Sequence, residues 1–190
     1  HGMPFIDRYF EREGFAADKV TLLQKLTFIA DRGMGAIEYA PKEHQDTIDA
    51  SIALTAKELR QEMRYVLLTE TKSSIIKGFM NIINNASPIG GARPKMLIAY
   101  NPKNGEIRSN SAKIEKGFVR SILKFDESYP NIDGVNESIE LTKLEYLHMT
   151  LAKECAITIP DMFMIEEEGE HHLIFKRYDR DENDEKIHVC

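Results

Sequence analysis

The sequence has few cysteines, no long apolar run and no excess of basic residues, and each shortage disfavours a class of protein. The two cysteines, Cys155 and Cys190, provide neither a disulfide framework nor a metal-binding spacing, so we expect both to be reduced. No run approaches the roughly 18 apolar residues of a membrane helix, and no secretory signal precedes the first helix, so we expect a soluble, cytoplasmic protein without membrane contacts. A formal net charge of −6 disfavours direct nucleic-acid binding, although a partner could carry DNA.

The chain nevertheless contains enough apolar material for a core. It has 190 residues, of which 42% are hydrophobic, with nine phenylalanines and seven tyrosines, which suits one large or two small domains. Near residue 86 the composition changes from helix-forming residues to strand and turn residues. We therefore predict an α+β fold, with a mainly helical subdomain over 1–85, truncated at its start, and a second unit over 86–190.

Apolar periodicity predicts the helical half. The expected helices cover residues 6–13, ending at Gly14, then a segment opened by Asp18 with Leu22 and Leu23 on its apolar face, then 46–68 and 71–85. Between them, Gly33 and Gly35 bracket a packed turn that leads into a short strand over 36–39.

The second half reads as strands around one helix. Residues 96–100 and 106–109 form a predicted hairpin, because Asn104-Gly105 supplies the positive φ of a tight turn. A strand over 119–125 and a helix over 138–154 follow, the helix with Leu144, Leu147 and Leu151 directed inward. Residues 162–165 and 172–177 form a second predicted hairpin around the acidic turn 166–170.

The most distinctive stretch is the glycine-containing segment that runs from Ser87 to Lys95. Adjacent glycines can direct several backbone N–H groups to one point, and the lysine adds a positive charge, which together suit a phosphate. The segment is not a Walker A loop, because Met96 stands where that motif needs a hydroxyl for magnesium. An ordinary Gly-Gly turn remains an alternative. The residues assigned to phosphate and nucleotide binding here are Ile89, Gly90, Gly91, Ala92, Arg93 and Lys95.

A glycine-rich loop, a strand lysine, a helix glutamate and a later strand occur in the chain order of a kinase N-lobe. The corresponding residues are Lys124 in the strand, Glu145 in the helix and the segment Arg177-Tyr178-Asp179-Arg180 after the last strand. With the loop, they resemble the patterns S-x-G-G-A-x-P-K, I-x-K-F, N-E-x-x-x-M-x-L-A and R-F-D-R of the HipA family of serine/threonine kinases, the toxins of bacterial toxin–antitoxin pairs. The segment 31–39 resembles a further signature of that family.

The resemblance implies roles for individual residues. It implies that Lys124 contacts the nucleotide phosphates and that Glu145 positions this lysine. It also implies that the backbone of Lys176 and Tyr178 binds the adenine edge. The chain departs from the family at Leu144, where asparagine is usual, and at Tyr178, where phenylalanine is common. A solvated strand lysine and an exposed helix carboxylate remain alternatives for Lys124 and Glu145.

The resemblance also implies what lies elsewhere. In such kinases the catalytic aspartate and the magnesium ligands stand on C-lobe loops, and we assign no segment of this chain to them, so ATP and Mg²⁺ are the expected cofactors of the whole enzyme. The polypeptide alone is expected to be inactive. Ser87 is a candidate for autophosphorylation, because a dianionic group beside a phosphate site would repel ATP.

Two functions remain open at this point. The first is the nucleotide-binding part of a HipA-like kinase toxin that phosphorylates a translation component such as glutamate–tRNA ligase and is neutralised by a HipB-like antitoxin. The second is a non-catalytic interaction module that docks a DNA-binding antitoxin.

Overall fold

The computed structural model of the chain describes residues 3–41, 53–68, 95–110, 114–126 and 140–188. The helices are α1 (Met3–Arg12), α2 (Leu22–Ile29), α3 (Ala56–Leu68) and α4 (Leu141–Glu154), with a short 3-10 turn at Ala17–Lys19. The strands are β1 (Lys95–Tyr100), β2 (Ile107–Ser109), β3 (Val119–Lys124), β4 (Met162–Glu167) and β5 (Glu170–Lys176). Helices and strands of this kind confirm the predicted α+β class.

The five strands form one sheet in the order β2-β1-β3-β5-β4, and every neighbouring pair is antiparallel. Both predicted hairpins are confirmed. Gly105 turns the first at a φ of 77°, and the second turns at Glu168 and Gly169, with φ values of 51° and 83°. Two consecutive positive φ values match the right-handed twist of the flanking strands, so the acidic turn is only two residues long and β4 and β5 extend into it.

Helix α3 covers one face of the sheet. Because side chains alternate along a strand, Met96, Ile98 and Tyr100 of β1 share a face with Leu123 of β3 and Ile174 of β5. These residues form a buried core with three residues of α3: Ala56, Leu59 and Met63. The opposite face carries Lys95, Leu97, Ile122 and Lys124, and it is the face on which the candidate site lies.

A separate aromatic cluster joins the first two helices. Ile6, Tyr9 and Phe10 of α1 pack with Val20 and with Phe28 of α2. The predicted first helix is confirmed, and Gly14 follows it with a φ of 91°. None of the helices in the described part of the chain has the length and apolar composition of a membrane span.

Two predicted helix starts are wrong. Helix α2 begins after Thr21, whose hydroxyl accepts a hydrogen bond from the N–H of Gln24, while Asp18 lies in the preceding 3-10 turn. Helix α3 begins at Ala56, because Thr55 and Glu58 form a reciprocal cap and Leu54 pairs with Ile107 of β2. The helix predicted over 46–68 therefore does not continue through residues 53–55. The predicted helix over 71–85 and the domain boundary near 86 lie outside the described residues.

Two other predictions are wrong. Residues 36–39 are irregular and form no strand, and the N–H of Tyr39 donates to the carbonyl of Ala30 at 3.2 Å rather than to a neighbouring strand. Apolar periodicity also misplaced several leucines: Leu22 and Leu23 are exposed, and so are Leu144, Leu147 and Leu151 of α4, at 41%, 53% and 53%. Helix α4 instead directs Thr142 inward, and the Thr142 hydroxyl donates to the carbonyl of His171 at 2.6 Å.

Candidate functional site

Two lysines lie directly opposite each other on the face of the sheet that is opposite to α3. In the antiparallel pairing of β1 with β3, Lys95 is the partner of Lys124. Opposed residues in such a pair have Cβ atoms about 4.5–5.5 Å apart and project from the same face. Lys95 ends the predicted phosphate-binding segment and Lys124 ends β3, so the ends of these two segments are neighbours in space.

Helix α4 brings a carboxylate to one of these lysines. The Lys124 ammonium forms an ion pair with Glu145, and it also lies 4.7 Å from the centre of the Phe175 ring on β5. The Lys124 side chain is 25% exposed and the Glu145 side chain 31%, so the pair is partly shielded from water. A strand lysine held by a helix glutamate is the arrangement that protein kinases use to position the lysine that contacts the nucleotide phosphates.

Lys95 and Lys124 place two positive charges side by side at this corner. Burial lowers the pKa of Lys95, the charge of Lys124 lowers it further, and Glu145 raises it by a smaller amount. Like charges placed directly opposite each other in a sheet are destabilising. Among the described residues, Glu145 is the carboxylate that pairs with Lys124 and that also raises the pKa of Lys95.

The residues after β5 leave the sheet in the region expected to form the hinge. The N–H of Lys176 donates to the carbonyl of Asp161 at 2.8 Å, and the N–H of Arg177 donates to the carbonyl of Arg120 at 2.8 Å. These bonds hold the end of β5 between the start of β4 and the start of β3. Tyr178 follows and is 57% exposed, so it lies outside the core.

A buried ion pair anchors this segment, and sequence reasoning missed it. Arg177 donates from Nε and Nη2 to the two carboxylate oxygens of Asp179 at 2.8 and 2.6 Å, and both side chains are fully buried. Burial raises the pKa of the Asp179 carboxyl, but the hydrogen bonds from Arg177 and from Gly35 outweigh that effect and the net pKa is lowered. Two opposite charges two residues apart directly after a strand were the available signal.

The same pair holds the glycine turn near the N-terminus. The N–H of Gly35 donates to Asp179 Oδ2 at 2.7 Å, and Arg177 Nη2 donates to the carbonyl of Gly33 at 3.5 Å. Lys186 reaches Glu38 at 3.1 Å and adds a third link. The segment 31–39 is therefore a packed turn, which the residues after β5 hold through hydrogen bonds and an ion pair.

A second carboxylate anchors the start of β3. Arg120 contacts both carboxylate oxygens of Asp184, with Nε to Oδ1 at 3.0 Å and Nη2 to Oδ2 at 2.8 Å. Arg180 donates from Nη1 to the carbonyl of Asp184 at 2.9 Å. The residues beyond the predicted hinge thus fold back and fix the strand that carries Lys124.

Asp126 begins an Asp-x-x-x-x-Asn spacing that ends at Asn131, which is the spacing of a kinase catalytic loop. Its carboxylate accepts the N–H of His171 at 3.0 Å, and its own N–H donates to His172 Nδ1 at 3.0 Å. Asp126 therefore joins the end of β3 to β5, and we assign it no catalytic role. Asn131 lies outside the described residues.

The structure brings together some of the predicted site residues. Lys95, Lys124 and Glu145 meet at one corner of the sheet, and Lys176 and Tyr178 lie at the end of β5. The remaining ones, which include the candidate for autophosphorylation, lie outside the described residues: Ser87, Ile89, Gly90, Gly91, Ala92 and Arg93.

Comparison with protein families gives a match to the second half of the chain. A family model described as HipA-like C-terminal domain matches residues 87–190, which is just over half of the chain. The matched region contains all five strands and helix α4, and thus Lys95, Lys124, Glu145 and the Arg177–Asp179 pair. No curated protein matches the chain.

Proposed function

The chain belongs to the HipA family, and on that premise we propose that it is the nucleotide-binding part of a protein serine/threonine kinase. The single observation that carries this proposal is the ion pair between Lys124 and Glu145, with Lys95 on the opposite strand. In kinases such a lysine contacts the α- and β-phosphates of ATP while the glutamate keeps its ammonium in place. The nucleotide would be ATP with Mg²⁺.

The charges of the corner support a triphosphate in particular. A triphosphate carries several negative charges, and it would compensate the repulsion between Lys95 and Lys124 that burial makes more costly. The glycine-containing segment that precedes Lys95 would add backbone N–H groups to the same phosphates. These contacts would position the γ-phosphate at the edge of the sheet.

The residues at this corner would bind and orient the nucleotide, whereas phosphoryl transfer needs further groups. Phosphoryl transfer requires an aspartate that accepts the hydroxyl proton and ligands for Mg²⁺, which in this family belong to the C-lobe. We therefore propose that residues 1–190 alone do not transfer phosphate. Carried over from the family, the substrate is a translation component such as glutamate–tRNA ligase, the neutralising partner is a HipB-like antitoxin, and the location is the cytoplasm.

Calorimetric titration of the full-length protein with ATP and Mg²⁺ tests this function. We expect wild type to bind, and Lys124→Ala to weaken binding at least about tenfold, because a charge-assisted phosphate contact is worth more than 1.4 kcal/mol. Lys143→Ala is the matched control, since Lys143 lies on the same helix as Glu145 but pairs with Glu140 at 2.7 Å on the exposed side. Absence of binding in the wild type, or equal loss in both variants, would reject the proposal.

A second candidate function rests on a different observation. Leu144, Leu147 and Leu151 form an exposed apolar stripe on α4, which is a feature of interaction surfaces. A non-catalytic module that docks a DNA-binding antitoxin would use such a surface and would not need ATP. This second function is supported if the wild type releases no heat with ATP but binds a DNA-binding antitoxin, and if Leu147→Glu disrupts that complex.

A further inference from the structure

An apolar patch adjoins the lysine pair on the same face of the sheet. Leu97 follows Lys95 by two residues, and Ile122 precedes Lys124 by two residues, so all four share one face. Leu97 and Ile122 are also partners in the β1–β3 pairing, about 7 Å along the strands from the lysines. Leu97 and Ile122 are buried, so a nucleotide whose phosphates lie at the lysines and whose base reaches the end of β5 would pass over the residues that cover this patch.

One side chain from outside the sheet packs on the patch in the described part of the chain. Met34, which belongs to the N-terminal half, contacts the cluster formed by Leu97 and Ile122. It is only partly buried, so it retains a surface that another molecule can contact. Met34 precedes the region matched by the family model by more than 50 residues.

The backbone on both sides of Met34 is fixed. Gly33 accepts from Arg177 and Gly35 donates to Asp179, and those two side chains are fully buried. The residues that hold the turn are the ones that directly follow β5, where the adenine edge is expected. Met34 is therefore held between the lysine corner and the predicted hinge, at the level of the apolar patch.

We propose that Met34 contacts the purine base of the bound nucleotide and that the N-terminal half of the chain thus completes the nucleotide site. The inference rests on the proposed function. A thioether is polarizable and packs well against aromatic rings, and its unbranched side chain adapts to a flat surface. Arg177 and Asp179 act as positioning residues that hold the Met34 turn in register with the hinge.

Parallel titrations of the full-length protein with ATP and with inorganic tripolyphosphate test this role. We expect Met34→Ala to weaken ATP binding by up to about tenfold, the upper range of a sulfur–aromatic contact, and to leave tripolyphosphate binding unchanged. Lys124→Ala should weaken both ligands. Met34→Leu, which restores the apolar volume, should recover part of the ATP affinity.

The outcomes separate this inference from the function on which it rests. If the wild type binds neither ligand, both fail; if it binds ATP and Met34→Ala binds ATP equally well, the role of Met34 alone is rejected. Should Met34→Ala unfold, the wild type labelled with ¹³C at the methionine methyl groups decides. We expect ATP, but not tripolyphosphate, to shift the Met34 methyl resonance through the ring current of the base, and an unmoved resonance at saturating ATP would overturn the inference.

Discussion

Arg177 and Asp179 form a fully buried ion pair, 2.6 Å from Nη2 to Oδ2, that also holds the backbone of a turn 144 residues earlier in the chain. The pair links the two halves of the molecule at the point where β5 ends. Because the predicted hinge begins at this pair, the N-terminal turn and the proposed nucleotide site depend on the same two side chains.

Removing the charge of Asp179 should destabilise the protein strongly. Asp179→Asn keeps the shape but leaves the Arg177 guanidinium buried without its counter-charge, which costs about 3–5 kcal/mol of unfolding free energy. Chemical denaturation of both proteins measures the loss. Asp161→Asn, at an exposed aspartate, is the control and should change stability by less than about 0.5 kcal/mol. Equal stability of Asp179→Asn and wild type would contradict the buried pair.

The buried His172 should make stability depend on pH. Burial lowers the pKa of His172 from 6.5, with Glu170 acting in the opposite direction. The unfolded chain therefore binds a proton that the folded chain resists, so the contribution of His172 is complete above about pH 6.5 and is lost as the pH falls toward and through the lowered folded value. Denaturation at pH 7.5 and pH 5 measures the loss.

The control for that measurement is the exposed His148 on α4. His148→Gln should show the wild-type decline between the two pH values, whereas His172→Gln should show a smaller decline, whatever its stability at pH 7.5. If both variants follow the wild-type curve, His172 does not titrate as the structure indicates.

The exposed leucines of α4 should tolerate change. Leu147→Gln removes a side chain that is 53% exposed, so we expect the free energy of unfolding to change by no more than about 0.5 kcal/mol. Leu123→Ala, at a fully buried position of β3, should cost about 2–5 kcal/mol. A large loss of unfolding free energy in Leu147→Gln would show that this leucine lies in the core, as apolar periodicity predicted.

Bound nucleotide should protect two particular lysines from acylation. If phosphates occupy the corner, Lys95 and Lys124 become less reactive when ATP and Mg²⁺ are added, while the exposed Lys103 and Lys116 keep their reactivity. Mass spectrometry of the labelled peptides measures each site separately. Uniform labelling with and without ATP would contradict a phosphate site between β1 and β3.

Much of the second half could be predicted because its signals are local. The Asn104-Gly105 turn and the strand-like run around Lys124 define their strands without information from elsewhere in the chain. Both lysines were assigned to the nucleotide phosphates, so their proximity was expected, but their pairing across β1 and β3 was not, since register depends on the packing of two separate strands.

The rest depends on contacts between distant residues. The residues near Asp179 do not indicate that it accepts a hydrogen bond from Gly35. Likewise, the residues near Leu54 do not indicate that it pairs with Ile107, so that α3 begins only after it. The apolar face of α4 was misplaced because periodicity shows which residues share a face but not which face meets the sheet. On this helix Thr142 faces the sheet and donates a hydrogen bond to the carbonyl of His171, and the leucines are exposed.

A crystal structure of the full-length protein with a non-hydrolysable ATP analogue and Mg²⁺ tests the central claim most directly. We predict phosphate oxygens within hydrogen-bond distance of both Lys95 Nζ and Lys124 Nζ, with Glu145 still paired to Lys124. A nucleotide bound away from the two lysines, or no bound nucleotide at saturating concentration, would contradict it.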